Sequence, residues 1–508
     1  MRVTRQGPAR ALTREIQIVS TPGDEGTPLY SRIYRQLREH ILSGALARGA
    51  LLPSARTLAA DLGVSRNTVE AAFAQLVSEG FVERRVGAGT VVSESVSELA
   101  PFAKVRAKRG ATAAEATTRQ PPQLSARGSV ILKLGQREVE SDLDPLCATN
   151  IHRFPLKAWS RVVARAARRA DASLLAPVSH LGLLELRQQI AEYATLARGL
   201  RCAPDQVLIV SSAQQALDLA ARVLMDPGDT ALIEEPSYPS ARAAFLVAGA
   251  KLKPIPVDSE GLDAGALPTG ATARLLYITP SHQFPLGVTM SLARRLAVLR
   301  WAAANEAWVI EDDYDSEFRY DGRPIAALQA LDRAGRVLYV GTYNKVLFPG
   351  LRLGYMVLPP GLIDAFAAAR RLADGYSAPF MQTVLADFIA SGRFAAYLRQ
   401  ARLYYTRCRD QLVARVDEDW GNAVQLGPAS TGLHVVAHLP KGTDDASLAV
   451  AAQNRGLGIA ALSRYYFGSQ KQPGLMISYG ATSLRRIATS VGELSPLFTS
   501  LRSARRRR

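Results

Sequence analysis

The chain has 508 residues, of which 48% are hydrophobic, and its formal net charge is +17. This length allows a large buried core and at least one smaller domain. No segment approaches the ~18 consecutive apolar residues of a membrane span, so a membrane protein is excluded and a cytoplasmic location is expected. The basic excess fits a polyanionic partner, although charge alone does not locate the binding surface.

Three short helices and a β-hairpin are the first predicted elements. Apolar residues recur at helical spacing over 28–44, and further helices fit 55–62 and 65–79, the last with Ser65 as N-cap. Two strands at 81–86 and 90–92 are joined by Gly87-Ala88-Gly89. Helix, turn, helix and wing in this order predict a DNA-binding domain.

The N-terminal end of the third helix carries the side chains best suited to DNA. Arg66 has the geometry to bind guanine through two hydrogen bonds, and Asn67 can bind adenine. Ser65 and Thr68 can hold phosphates beside the helix terminus. The alternative is a small helical domain whose polar residues are merely solvated.

Several runs in this region resemble the GntR-type winged helix over residues 28–92. They are 51–56, 62–69, 80–82 and 87–90. The resemblance implies that double-stranded DNA is contacted by Arg56, Arg66, Asn67, Thr68 and Gly89.

A linker is predicted over 93–129, because periodicity fails there and prolines, alanines and threonines dominate. From residue 130 to about 502, short β-branched runs alternate with helical patterns. The predicted strands are 207–210, 231–234, 275–279, 308–312 and 337–340. Such alternation predicts an α/β domain with a mostly parallel sheet that is covered on both faces.

The residues near these strands can form a site for pyridoxal 5'-phosphate (PLP). Such a site needs a lysine for the Schiff base, a carboxylate for the pyridine nitrogen, a flat group against the ring and an anion cradle. Lys345 follows one strand, Asp312 ends another, and Tyr238 is a candidate for stacking. Each residue taken alone also has a structural explanation: Lys345 as a surface charge, Asp312 as a helix cap or surface acid, and Tyr238 as a buried core tyrosine.

The anion cradle is predicted where a helix opens directly after a strand, because free backbone amides there attract phosphate. Its candidate residues are Ser212, Ala213 and Gln214, completed by Thr342 and Arg352. Tyr314 can hydrogen-bond the phenolic oxygen of the cofactor.

The order and spacing of these residues resemble the fold-type I aminotransferase superfamily. The runs 279–287, 311–318 and 350–355 are similar to its MocR/GabR branch of regulators. The resemblance implies that PLP is held by Lys345, Asp312, Tyr314, Tyr238 and Arg352. It also implies a head-to-tail homodimer.

The sequence departs from these relatives where they bind a substrate carboxylate. The late arginine of aminotransferases is missing from Met476-Ile477-Ser478-Tyr479, and Ser240 replaces the arginine that follows the stacking tyrosine in GABA-sensing relatives. Phe284 stands where enzymes have asparagine, so contact with the phenolic oxygen falls to His282, Gln283 or Tyr314.

No metal site is predicted. The cysteines form no CxxC pair, and His434 and His438 are spaced like metal ligands but lie in a run that favours a strand.

A transcription regulator that senses PLP or an amine, rather than an enzyme, is the function predicted. One alternative is a working aminotransferase with a DNA-binding appendage, which the missing arginine disfavours. Another is a pseudoenzyme that only dimerises, which the complete set of PLP residues disfavours.

Overall fold

The computed structural model describes residues 27–85, 89–95, 123–142, 149–270, 272–322, 325–452, 455, 457–468 and 471–505. The chain divides into two compact units, Met1–Gln123 and Leu124–Arg508. Residues 87 and 88 of the predicted wing turn, most of the predicted linker and Cys147 lie outside the described residues. No helix in the described ranges is long and apolar enough to cross a membrane.

The first unit contains three helices followed by a two-stranded antiparallel hairpin. Its elements are α1 Leu29–Ser43, α2 Ala55–Leu62, α3 Arg66–Ser78, β1 Val82–Arg85 and β2 Gly89–Val92. Ser54 and Ser65 cap α2 and α3, each accepting a hydrogen bond at 3.1 Å from the backbone amide three residues on. Gly44 and Gly63 follow α1 and α2 in left-handed conformations, which glycine adopts without strain.

One apolar core joins the three helices to the hairpin. Ile33 and Leu37 of α1 meet Leu58 of α2 and Phe73 of α3, and Val82 and Val92 close the core from the hairpin. The periodic apolar residues that predict these helices are therefore the ones that the fold buries.

The second unit is built on an eight-stranded sheet. Its strands are β3 Val207–Val210, β4 Thr230–Glu235, β5 Lys251–Asp258, β6 Gly261–Leu262, β7 Leu275–Ile278, β8 Trp308–Asp313, β9 Val337–Thr342 and β10 Gly354–Val357. They lie in the order β3-β10-β9-β8-β7-β4-β5-β6. Strands β9, β8, β7, β4 and β5 are parallel, while β10 runs antiparallel to β3 and β9, and β6 to β5.

Helices surround this sheet, and a smaller antiparallel sheet follows it in the chain. The helices are α4 Ala126–Asp142, α5 Leu156–Arg169, α6 Leu184–Arg198, α7 Ala213–Leu224, α8 Pro239–Val247, α9 Leu292–Ala304, α10 Leu328–Leu331, α11 Ile363–Ala373, α12 Pro379–Ala390, α13 Arg393–Asp419, α14 Asp445–Ala452 and α15 Leu484–Arg505. The smaller sheet contains β11 Gln425–Leu426, β12 His434–His438, β13 Gly458–Ala461 and β14 Gly474–Ser478.

Successive residues of the central strands pack on opposite faces. In β3, Val207 and Ile209 join one apolar cluster, and Leu208 and Val210 join another. Both faces are therefore covered, as the near-continuous apolar strands predict. The helix α4 begins at Ala126, inside the stretch predicted as linker, where the Ser125 hydroxyl accepts a hydrogen bond from the Gly128 amide.

Candidate cofactor site and DNA-binding surface

The predicted cofactor residues come together at one edge of the central sheet. Asp312 is the penultimate residue of β8 and Thr342 is the last residue of β9, two parallel neighbours in which Asp312 lies opposite Val340. Ser211 and Ser212 follow β3, which runs in the same direction as β9 because both are antiparallel to β10. The carboxyl edge of an open α/β sheet is the usual place for a ligand.

One carboxylate oxygen of Asp312 accepts a hydrogen bond from a described residue, and the other accepts none. Its side chain is buried, and the Tyr277 hydroxyl donates to Oδ2 at 2.8 Å. Oδ1 is buried and accepts no hydrogen bond from any described residue. Burial raises the pKa of Asp312 to about 7, and the Tyr277 hydrogen bond and the charge of Lys345 oppose that rise. A protonated ring nitrogen at Oδ1 would satisfy this oxygen and keep the carboxylate ionised.

Lys345 lies three residues beyond the end of β9 and is half-buried. Its positive charge lowers the pKa of Asp312 and also that of His434. The amine is therefore close enough to the Asp312 carboxylate for the two groups to influence each other, as a shared cofactor would require.

The predicted phosphate cradle is the start of α7. The hydroxyl of its N-cap, Ser212, accepts a hydrogen bond from the Gln215 amide at 3.3 Å. The amides of Ala213 and Gln214 donate to no acceptor among the described residues. Free amides at the N-terminus of a helix favour an anion.

Asn344 ties this helix start to the loop that carries Lys345. Its side-chain amide donates to the Ser211 carbonyl at 3.1 Å, and its side-chain oxygen accepts from the Leu353 amide at 3.0 Å. Its own amide donates to the hydroxyl of Thr342 at 3.2 Å. Asn344 thus holds three segments of the candidate cradle together.

Arg352 stands beside Leu353 in a left-handed backbone conformation, with φ of 53°. That conformation is uncommon for a residue with a side chain and costs on the order of 1 kcal/mol. The side chain is exposed and forms no ion pair with a described residue. A guanidinium in this state is available to a phosphate.

His282, Tyr314 and Asp315 form a buried hydrogen-bonded group. His282 Nδ1 lies 3.0 and 3.1 Å from the two carboxylate oxygens of Asp315 and 2.9 Å from the Tyr314 hydroxyl. The carboxylate can only accept, so the Nδ1 proton goes to Asp315. The Tyr314 hydroxyl cannot donate to a nitrogen that already carries a proton, and its own proton must go to another acceptor.

Aromatic rings surround Phe284, the residue that replaces the asparagine of enzymes. The ring centroids of Tyr238, Tyr314, His434 and Tyr465 lie between 5.2 and 5.9 Å from that of Phe284, in edge-to-face arrangements. Tyr238 is the N-terminal neighbour of α8 and is half-buried. Its ring is therefore packed against Phe284 on one side.

The remaining candidate for the phenolic oxygen, Gln283, is occupied elsewhere. Its amide nitrogen donates to the Pro236 and Phe284 carbonyls, each at 2.8 Å, and its oxygen accepts from the Leu286 amide at 3.1 Å. This leaves Tyr314 and His282 as the candidates.

The two positions where relatives have a carboxylate-binding arginine hold buried, uncharged residues, Ser240 and Met476. The Ser240 carbonyl accepts a hydrogen bond from the side chain of Gln214 at 3.2 Å, and Met476 belongs to the same apolar cluster as Val436. Neither residue can replace the charge of a guanidinium.

Sequence reasoning missed four residues of this site: Tyr277, Asp315, Asn344 and His434. Asp315 and Asn344 lie inside the motifs, so the sequence offered a signal for them. Tyr277 and His434 reach the site from other strands, and only the tertiary fold reveals them.

His282, Asp315 and His434 are also the one group among the described residues that could hold a metal ion, with ligand atoms within 4.8 Å of one another. Hydrogen bonds already engage them: His282 with Asp315, and His434 Nε2 with the Pro285 carbonyl at 2.9 Å. His434 belongs to strand β12, as predicted. We therefore propose no metal here.

In the first unit, the predicted DNA-contacting residues lie at the start of α3 and on the hairpin. Arg66 and Asn67 are exposed in the first turn, and Thr68 donates its amide to Ser65. Arg56 is exposed near the start of α2. Gly89 has φ of +94°, a left-handed conformation that glycine adopts without strain, and a Cβ there would lie 3.2 Å from the side chain of Leu51.

A winged helix-turn-helix joined to an aminotransferase fold defines the class of this protein: a transcription regulator with an enzyme-like second domain. Family models agree with that class. The "Bacterial regulatory proteins, gntR family" model matches residues 29–92, and the "Aminotransferase class I and II" model matches residues 146–488.

Individual relatives share both parts. The chain is 37% identical to the probable rhizopine catabolism regulatory protein MocR of Rhizobium meliloti, covering 95% of this chain and 96% of the relative. It is 32% identical to the pyridoxine biosynthesis transcriptional regulator PdxR of Corynebacterium glutamicum, covering 93% and 96%. An archaeal alanine:glyoxylate aminotransferase structure matches with a TM-score of 0.65 and 26% identity, covering 77% of this chain and 99% of that one.

The chain belongs to the MocR-type branch of the GntR regulators, whose large domain is an aminotransferase class I and II domain. The predicted family, fold class and regulatory function are thereby confirmed. The family of the large domain is PLP-dependent.

Proposed function

We propose that this regulator holds PLP on Lys345 and that PLP, or an amine that reacts with it, changes how the protein binds DNA. The observation that carries the proposal is that Oδ1 of Asp312 is buried and accepts no hydrogen bond from a described residue, while the charge of Lys345 acts on the same carboxylate. When bound, PLP supplies an aldehyde that reacts reversibly with primary amines. A ligand with this chemistry fits a lysine and a carboxylate held near one another.

The chain's other residues then take distinct roles. Asp312 pairs with the ring nitrogen, Tyr238 lies against the ring, and Tyr314 donates its hydroxyl proton to the phenolic oxygen. The Nδ1–H of His282 is shared between the Asp315 carboxylate and the Tyr314 oxygen, so His282 positions Tyr314 by donating to it. The phosphate is bound by Arg352, Thr342 and the start of α7, including Ser212, Ala213 and Gln214.

The effector is PLP itself or an amine that has no carboxylate group, because binding a carboxylate would need an arginine. Ser240 and Met476 occupy the positions of those arginines, and both residues are buried and uncharged. The same absence argues against efficient transamination of ordinary amino acids.

DNA binding by this protein is proposed to use the start of α3 and the hairpin. Arg66 and Asn67 reach base edges, while Arg56, Ser65, Thr68 and Gly89 meet the backbone. The protein works in the cytoplasm as a head-to-tail homodimer. Exposed apolar side chains on the second unit support an association between copies, among them Ile131, Leu132 and Leu156.

Absorbance spectroscopy of the purified protein tests the cofactor proposal. We expect a visible band of lysine-bound PLP that disappears on reduction with borohydride, leaving a modified Lys345 in the peptide map. A panel of amines and amino acids should shift the band for carboxylate-free amines more than for amino acids. If PLP binds without modifying Lys345, the proposed attachment is wrong.

A further inference from the structure

Glu70 is an acidic residue on the helix proposed to read DNA, one turn after Arg66. Its carboxylate contacts two arginines from different elements. Oε1 lies 3.8 Å from Nη2 of Arg66 in α3, and Oε2 lies 2.6 Å from Nη2 of Arg84 in β1. We propose that Glu70 is a positioning residue for DNA sequence specificity, an inference that rests on the proposed DNA-binding surface.

The two contacts are unequal. Arg84 is within hydrogen-bonding distance and is firmly held, whereas Arg66 at 3.8 Å is attracted but forms no hydrogen bond. Arg66 can therefore leave Glu70 for a base edge at little cost. Arg84 stays fixed, so the wing strand keeps one orientation relative to the reading helix.

The position of Glu70 between helix and wing supports this role. Arg84 pairs across the hairpin with Thr90, and Glu70, Phe73, Arg84 and Thr90 line one groove of about 420 Å³. The side chain of Glu70 is 35% exposed, against 69% for Arg66 and 55% for Arg84. The acid is thus partly covered while both guanidinium groups remain accessible.

A carboxylate near DNA opposes binding to every sequence, because it repels the phosphates. Glu70 also orders the Arg84 side chain before DNA binds, so Arg84 loses less side-chain freedom on binding. The repulsion acts on all DNA, whereas the ordering benefits only the sequence that matches the fixed geometry. Together they widen the gap between specific and nonspecific affinity.

The test measures two affinities for each protein by fluorescence anisotropy. One duplex is selected by the wild-type protein from a randomised library, and the other has the same composition in scrambled order. We expect Glu70→Gln to bind the scrambled duplex about two- to fivefold more tightly and the selected duplex about two- to fivefold more weakly, the range of exposed ion pairs.

Glu83→Gln is the matched control. Glu83 lies on the same hairpin strand, pairs with Arg85 at 3.7 Å and accepts a hydrogen bond from Ser93. The Glu83→Gln substitution removes one negative charge and leaves the contacts of Glu70 with Arg66 and Arg84 unchanged. Both affinities should therefore rise together, leaving their ratio unchanged.

Glu70→Asp distinguishes the effect of the negative charge from the effect of the contact with Arg84. The shorter side chain keeps the charge but loses the 2.6 Å contact. We expect weaker binding of the selected duplex without the gain on scrambled DNA. The inference is overturned if Glu70→Gln changes both affinities in the same direction as Glu83→Gln. If the wild-type protein selects no sequence at all, the proposed DNA-binding surface fails instead.

Discussion

Replacing Asp312 with asparagine tests whether the buried Asp312 carboxylate destabilises the protein when no PLP is bound. Asparagine keeps the size of the side chain and can still accept the hydrogen bond from Tyr277, but it carries no charge. Burial raises the pKa of Asp312 from 3.8 to about 7. A shift of this size means that the ionised carboxylate costs the apo fold roughly 4 kcal/mol at alkaline pH.

The sign of the pH dependence follows from the raised pKa. Stability contributed by the neutral carboxyl is fully present below about pH 4 and is lost as the pH rises through about 7. Apo Asp312→Asn should therefore be more stable than apo wild type. The difference should grow by roughly 2 kcal/mol between about pH 5.5 and pH 8. Added PLP should stabilise the wild type strongly at pH 8 and the variant little.

Urea unfolding of the large domain, followed with and without PLP across this pH range, provides the measurement. Glu234→Gln is the matched control. Burial also raises the pKa of Glu234 to about 7, and its Oε1, like Oδ1 of Asp312, is buried without a hydrogen bond from a described residue, while Thr279 and Gln283 donate to its Oε2. Glu234 is not among the residues proposed to bind PLP. This control should stabilise the apo protein at pH 8 and keep the response to PLP. Equal stability of wild type and Asp312→Asn at every pH, with an unchanged PLP response, would refute the reasoning.

Three further predictions concern DNA binding and the cradle. Arg66→Ala should weaken binding to the selected duplex by ~1–3 kcal/mol while leaving PLP absorbance intact, and unchanged affinity in a gel shift would contradict its role. Asn344→Ala should lower PLP affinity by about tenfold, because the lost hydrogen bonds to Ser211 and Leu353 cost ~1–3 kcal/mol; an unchanged PLP titration would show that the cradle holds without it. Footprinting should reveal two half-sites, since a symmetric dimer presents two heads, and a single isolated half-site would count against the dimer.

Much of the fold could be predicted because local patterns and tertiary structure agree. The helix Arg66–Ser78 has its N-cap at Ser65, and the strands Val207–Val210 and Leu275–Ile278 lie where the apolar runs predict them. Asp312 lies at the carboxyl end of β8 and Lys345 follows β9, and the carboxyl ends of parallel strands meet at one edge of the sheet. The positions of Asp312 and Lys345 relative to the predicted strands therefore predicted that both residues lie at the same edge of the sheet.

The strands β5 and β10 were missed for physical reasons. In β5, Pro254 and Pro256 interrupt the run and two lysines obscure its apolar character, yet its residues 251–256 pair with β4. The short β10 follows closely after the cradle loop and runs against its neighbours, so the mostly parallel sheet carries one antiparallel strand within it.

Pairings between distant strands explain what the sequence could not reveal of the site. Tyr277 and Asp312 are 35 residues apart, and the hydrogen bond between them exists only because β7 and β8 are neighbours. The choice among His282, Gln283 and Tyr314 also required the fold. The hydrogen bonds of Gln283 to Pro236 and Leu286 engage its side chain within the chain itself.

The most direct test of the central claim compares DNA binding by wild type and Lys345→Ala, each with and without added PLP and carboxylate-free amines. Lys345 belongs to the second unit, whereas Arg66 and the hairpin belong to the first. The variant should therefore bind the selected duplex as tightly as the ligand-free wild type. Only the wild type should change its affinity when PLP or an amine is added, because a ligand shifts an equilibrium only through unequal affinity for its two states. An equal response of Lys345→Ala to the same ligands would contradict a sensor that acts through this lysine.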